Sequence, residues 1–134
     1  DVPVVQMSID YTQPPSYHYN LAKELAKLRH KGVLIVGSGN IVHNLGAINW
    51  SNNAEPHPSS IGFHKYIVEA IENNDIDAIV NYASHPDAAY AVPTPEHFFP
   101  LLYVLGARRP NEAPHTVTDG FVYSSLSMYS VAFG

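Results

Sequence analysis

Two histidines stand in surroundings that suit chemistry. His97 follows Thr94-Pro95-Glu96, a capping residue, a proline and an acid in the order that opens a helix. A histidine in the first turn meets the positive end of the helix dipole. That field disfavours imidazolium and leaves the neutral ring that ligates metal. The plainer alternative is a ring that packs or hydrogen-bonds there. His43 lies in the stretch Gly37-Ser38-Gly39-Asn40-Ile41-Val42-His43-Asn44-Leu45, just after the apolar run Val33 to Val36. In an open α/β sheet, ligands sit beyond the carboxyl ends of the strands. Gly37 and Gly39 are expected to reach positive φ and make the sharp turn such a site needs. A lone loop histidine is otherwise solvated or structural. An imidazole titrates near neutrality, so His43 could ligate a metal or move a proton.

The remaining candidates are weaker. Glu96 reads first as a helix N-terminal charge and second as a carboxylate ligand. His85, with Pro86 and Asp87, occupies the loop before Thr94. His18 begins a helix, but its spacing carries no metal signature; His30, His57, His64 and His115 read as solvated or structural. Tyr129 either lines an aromatic pocket or packs in a strand. A phosphate loop at Gly37–Asn40 lacks the third glycine and the Lys-Ser/Thr that would come after it. Ser38 lacks the nucleophile-elbow context of a hydrolase.

Several elements must position these residues. Val2 to Ile9 is an apolar, β-branched run that suits a strand buried on both faces, as in a parallel sheet. A bare strand of that kind invites pairing, so something should lie beside it. Ser16 is a helix cap, Leu21, Leu25 and Leu28 fall on one face to about Lys31, and Gly32 is the stop. With Val33 to Val36 as the next strand, residues 2–36 read as β-α-β with a right-handed parallel crossover. Asn49 to Ser60 is a polar loop. Phe63, Ile67 and Ile71 mark a helix, Ile76 to Tyr82 a short one, and Ser84 to Val92 a loop. A helix from Thr94 to Gly106 contains Pro100, which should free one carbonyl. Thr116 to Tyr123 and Ser125 to Phe133 are two closing strands. The fold class is α/β: a mixed, partly parallel sheet flanked by helices.

Composition narrows the function classes. The 134 residues make one domain at most, with 46% hydrophobic and 14% charged residues, so the chain is globular. A net charge of −5 gives no electrostatic footprint for nucleic acid or an anionic membrane. No run is long enough to span a bilayer. The absence of cysteine removes disulfides and thiolate metal sites, which fits the cytoplasm. The start at Asp1 without Met suggests that the beginning has been removed.

GSGNIVHNL at 37–45 and PTPEHFFPLLYVLGA at 93–107 closely resemble the DOPA-extradiol-dioxygenase-like branch of the class III ring-opening dioxygenases. The opening DVPVVQMSID and the closing GFVYSSLSMYSVAFG resemble it too. The resemblance covers residues 1–134 and implies about the C-terminal half of the family's domain. The upstream half, with two further metal-binding histidine motifs, is not in this sequence. By resemblance, His97 binds the metal. His43 belongs to the same site, as the acid/base that shuttles the catechol proton or as a second ligand. His85 falls at a substrate-loop position. The implied activity is extradiol cleavage of a DOPA-like catechol by O2 with Fe2+ or Zn2+. Two protein ligands fall short of the usual three. This chain alone is therefore expected to be inactive without the missing N-terminal half. The alternative is a non-catalytic fragment or binding module whose metal is adventitious or absent.

Overall fold

The computed structural model describes residues 1–51 and 53–134; Asn52, within the expected polar loop, lies outside them. Helix α1 spans Pro15–Leu25, and a 3-10 turn carries the chain on to Lys31. Gly32 ends it at φ 78°, the left-handed stop read from sequence. The expected cap does not form: Pro14 takes the capping position, with Pro15 in the first turn and no side-chain cap. Helix α2 spans Pro58–Glu72 and buries Phe63, Ile67 and Ile71, the residues whose four-residue steps announce it. It starts earlier than those steps suggest, because the His57 side chain accepts from the Ser59 amide and caps it. Helix α3, Ile76–Val80, is capped by Asp75. Helix α4, Ala88–Ala91, lies inside the expected loop 84–92.

The helix after Thr94 divides in two. Pro95–His97 is a 3-10 turn, and helix α5 runs from Phe99 to Gly106. Pro100 thus falls in the first turn of α5, where a missing N–H costs nothing. His97 accordingly sits in a tight turn ahead of the helix instead of in the first turn of a long one. Thr94 does not cap it; its hydroxyl donates to Glu96 Oε1 at 2.7 Å.

The two closing strands become four short ones: β1 His115–Thr118, β2 Phe121–Val122, β3 Leu126–Ser127 and β4 Ser130–Ala132. β1 pairs antiparallel with β4, and β2 with β3. Tyr123 and Ser124 both take positive φ, 53° and 72°, in the three-residue loop that joins β2 to β3. Gly120, at φ 134°, separates β1 from β2. The core gathers α2, α3, α4 and α5 around Phe63, Ile67, Ile79, Phe98 and Leu102. α1 packs across α5 at Gly106, where an added Cβ would collide with the Tyr19 carbonyl oxygen.

The class is as expected, helices with strands in part of a larger domain, but the parallel β-α-β pair does not form among the described residues. Residues 2–9 and 33–36 lie outside any ladder. Val2, Val4 and Val5 are 87–91% exposed, Leu34 84% and Val36 75%. A strand buried on both faces needs neighbours at its edges and layers above and below it, and these segments have too few of them here.

An ion pair ties the ends of this layout. Arg29 donates to both Glu112 oxygens at 2.6 and 2.7 Å and also to the carbonyls of Ala107 and Phe133. The Arg29 guanidinium, with the Arg109 amide, holds the Glu112 carboxyl down at about 2. Because the folded pKa is depressed, this stabilisation is full above the ordinary carboxylate value and is lost as pH falls towards 2. Arg29→Ala is expected to cost about 2 kcal/mol at neutral pH and less at pH 2, where the bonds to the Ala107 and Phe133 carbonyls remain. Chemical denaturation of the two proteins at both pH values measures it.

Candidate metal centre

His43 and His97 meet. Their rings stack with centroids 3.5 Å apart and planes 14° from parallel, and both are half-buried. His97 is presented by the 3-10 turn, His43 by a short extended stretch. The backbone around His43 is held from three sides. Its amide donates to the Ala91 carbonyl at 2.8 Å, it bridges to Leu126, and Ser127 N donates to Val42 O at 3.0 Å. The Asn44 amide group donates to the Tyr90 carbonyl, and Ser125 Oγ donates to the Asn44 carbonyl.

The glycines act differently from expectation. Neither Gly37 nor Gly39 has positive φ. They are needed because the backbones touch. A Cβ on Gly39 would collide with the His97 carbonyl oxygen, and one on Gly37 would stand 2.5 Å from the Pro100 carbonyl oxygen. Asn40 N then donates to the His97 carbonyl at 2.8 Å, and its side chain donates to the Ser127 carbonyl at 2.7 Å. The segment 37–40 thereby fixes one histidine's turn and leads into the other.

Burial lowers the His43 pKa, the neighbouring His97 lowers it further, and Glu96 opposes both. His43 is therefore a neutral donor at neutral pH. Glu96 is exposed and hydrogen-bonded to Thr94, which lowers its carboxyl below the usual range. Two adjoining imidazoles are donors that suit Fe2+ or Zn2+. The set is incomplete: among the described residues, no three His, Cys, Asp or Glu side chains are grouped to hold a metal ion.

The other candidates lie around this pair. Tyr129 is buried, and with His97, Gly37–Ile41, Pro100 and Leu101 it lines a cavity of about 310 Å³. Its hydroxyl has no hydrogen-bond partner among the described residues, and burial raises its pKa. His85 packs instead on α2, with its ring 4.5 Å from Tyr66 and 5.7 Å from Phe63, and Nδ1 accepts from Asp87 N.

Two histidines read as peripheral are structural. His18 is fully buried, with Nδ1 2.9 Å from the Tyr103 hydroxyl and its ring against Phe99. His64 links Asp119, 3.2 Å from Nε2, to Ser127 Oγ, 3.0 Å from Nδ1. Through Ser127 that chain supports the strand beside His43. Burial lowers both imidazole pKa values. No motif announces the His64 link, because Asp119 and Ser127 lie far from His64 in sequence and only the hairpin brings them together. Asn40 and Asn44 bracket Ile41-Val42-His43 in sequence, but only the fold gives them carbonyls to bond.

Comparison with known proteins places the chain in a family. The family described as the catalytic LigB subunit of aromatic ring-opening dioxygenase matches residues 1–134. A protein of Escherichia coli K12 named 4,5-DOPA dioxygenase extradiol is 39% identical over all of this chain and 51% of its own length. A Beta vulgaris protein of the same name is 33% identical over 92% of this chain and 47% of its own length. A crystal structure of an uncharacterized Escherichia coli K12 protein, JW3007, superposes with a TM-score of 0.92 at 39% identity. That match covers 98% of this chain and 55% of the other. The chain thus spans about half the length of the curated relatives it matches. With a family match that runs from its first residue to its last, this chain belongs to the LigB family of aromatic ring-opening dioxygenases.

Proposed function

We propose that this chain supplies part of the active site of a metal-dependent extradiol dioxygenase that opens a DOPA-like catechol with O2. The observation that carries the reading is the stacked pair His43–His97. Both rings belong to the motifs that carry the family resemblance. His97 is the metal ligand. His43 serves as a second ligand or as the group that takes the catechol proton; its burial, which keeps it neutral, suits both roles. When bound, the metal supplies Lewis acidity and, if it is iron, access to oxygen chemistry that redox-silent zinc does not give. The native ion is then Fe2+, with Zn2+ an inactive occupant. The ring of Tyr129 walls the pocket beside His97, and His85, packed against α2, is by resemblance a substrate-loop residue. The remaining donors come from the companion N-terminal half. No helix among the described residues is long and apolar enough to cross a membrane, and the cysteine-free sequence suits a cytoplasmic enzyme.

The experiment is complementation. This chain is mixed with its companion half and Fe2+, and the absorbance of the ring-opened catechol product is followed. The mixture is expected to turn over and each part alone to be silent. Turnover by this chain alone would refute the divided site.

A further inference from the structure

We infer that His64, backed by Asp119, is a positioning residue for the histidine pair and acts through Ser127; its meaning for catalysis rests on the proposed function. Ser127 is where the supports of both histidines meet. Its amide donates to the Val42 carbonyl at 3.0 Å, one residue before His43. Its carbonyl accepts from the Asn40 side chain at 2.7 Å, and the Asn40 amide donates to the His97 carbonyl at 2.8 Å. His43 itself bridges to Leu126, the neighbour of Ser127. Yet β3 is only Leu126–Ser127, paired with the equally short β2. A two-stranded ladder is marginal by itself even at ordinary strand length. Something stiffer must hold Ser127 in place.

That support is α2. Ser127 is fully buried, and its hydroxyl lies 3.0 Å from His64 Nδ1. His64 stands on α2 beside the core residues Phe63 and Ile67, with its ring against Phe121 and edge-on to Tyr129. Asp119, between β1 and β2, stands 3.2 Å from Nε2. A carboxylate only accepts, so Nε2 carries the hydrogen and Nδ1 of the neutral ring accepts from the Ser127 hydroxyl. The Ser127 oxygen then accepts from the Tyr129 amide at 3.2 Å. Every donor in the row has one acceptor, and burial, which lowers the His64 pKa, keeps the ring in the neutral form that the row needs. Serine, histidine and aspartate also make up a hydrolase triad. That reading fails because the fully buried Ser127 hydroxyl meets no substrate. All of these bonds lie within the chain, so none of them depends on the companion half.

The test uses this chain co-expressed with the part of the Escherichia coli relative that lies outside the matched stretch. His64→Phe keeps a ring between Phe121 and Tyr129 but has no nitrogen for Ser127. It should lower kcat and Zn2+ affinity by about 10–100-fold, the scale for residues that orient metal ligands, and leave KM within about twofold. His64→Asn puts an amide oxygen where Nδ1 stood and should recover most of the loss. His64→Gln reaches Asp119 but not Ser127 and should not recover it. Asp119→Ala, at an exposed residue, should give a smaller loss of kcat, again without a change in KM, in a chain that melts like the parent. A merely structural His64 would instead give losses that track the melting temperature, with the Asn and Gln variants alike, and that result overturns the inference. So does a His64→Phe enzyme with the parent's kcat and Zn2+ affinity. If the parent opens no catechol, the proposed function fails, and the ring-nitrogen NMR shifts of His43 and His97 in this chain read the brace in its place. They should move in His64→Phe and return in His64→Asn; unmoved shifts overturn the inference.

Discussion

His97→Ala is expected to weaken Zn2+ or Fe2+ binding by the complemented domain more than about 100-fold, since even residues supporting a ligand are worth about 10–100-fold. The ring is half-buried against His43. Its loss removes one of the two imidazoles and leaves a donor set too poor for a divalent ion. The fold should survive, because the core beside it, Phe98, Phe99 and Leu102, is untouched. Isothermal titration with Zn2+ reads the loss, and His30→Ala, an exposed ring, serves as the control that binds normally. Equal affinity in His97→Ala and the parent would remove His97 from the site.

Gly39→Ala should do comparable damage with one methyl group. Alanine is conformationally acceptable there, as the backbone has no positive φ. The obstacle is the His97 carbonyl, which occupies the space a Cβ needs. Relief requires the 3-10 turn to move away, stretching the Asn40–His97 hydrogen bond of 2.8 Å. Overpacking of this kind costs about 1–3 kcal/mol. A displacement of about 1 Å at the reacting groups is worth up to about 100-fold in turnover. Ser16→Ala, exposed and outside the lining of the cavity beside His97, should leave stability and activity alone. Thermal unfolding together with product formation by the complemented enzyme separates the two variants. Gly39→Ala with wild-type values for both would show that the close approach does no positioning.

What the sequence shows and what it hides have physical causes. Phe63, Ile67 and Ile71 announce α2 because helical burial repeats along the chain. Gly32 announces a helix end because few residues tolerate its φ of 78°. The histidine pair is legible only as two separate motifs. Periodicity does not say that a turn at 95–97 and a stretch at 41–43 will stack. The need for Gly39 is legible, but its reason is not: a tight turn and a close backbone approach demand the same residue, and the local pattern suggests the turn. The runs at 2–9 and 33–36 are apolar as read, but neither forms a strand nor is buried among the described residues. Their pairing fails to appear because a strand needs neighbours, and those are not formed by the described residues of this chain. Pro100 misleads for a related reason. One helix from Thr94 looks continuous, but the chain breaks at Phe98 and so brings the proline into a first turn.

The proposed site has His43 and His97 serving one cation. The most direct measurement is the anomalous signal of zinc in crystals of the complemented domain. The expected result is a single strong peak about 2.0–2.1 Å from a ring nitrogen of His97, with the His43 ring bordering the same ion. A peak that touches neither ring, or rings turned towards opposite surfaces, would contradict it.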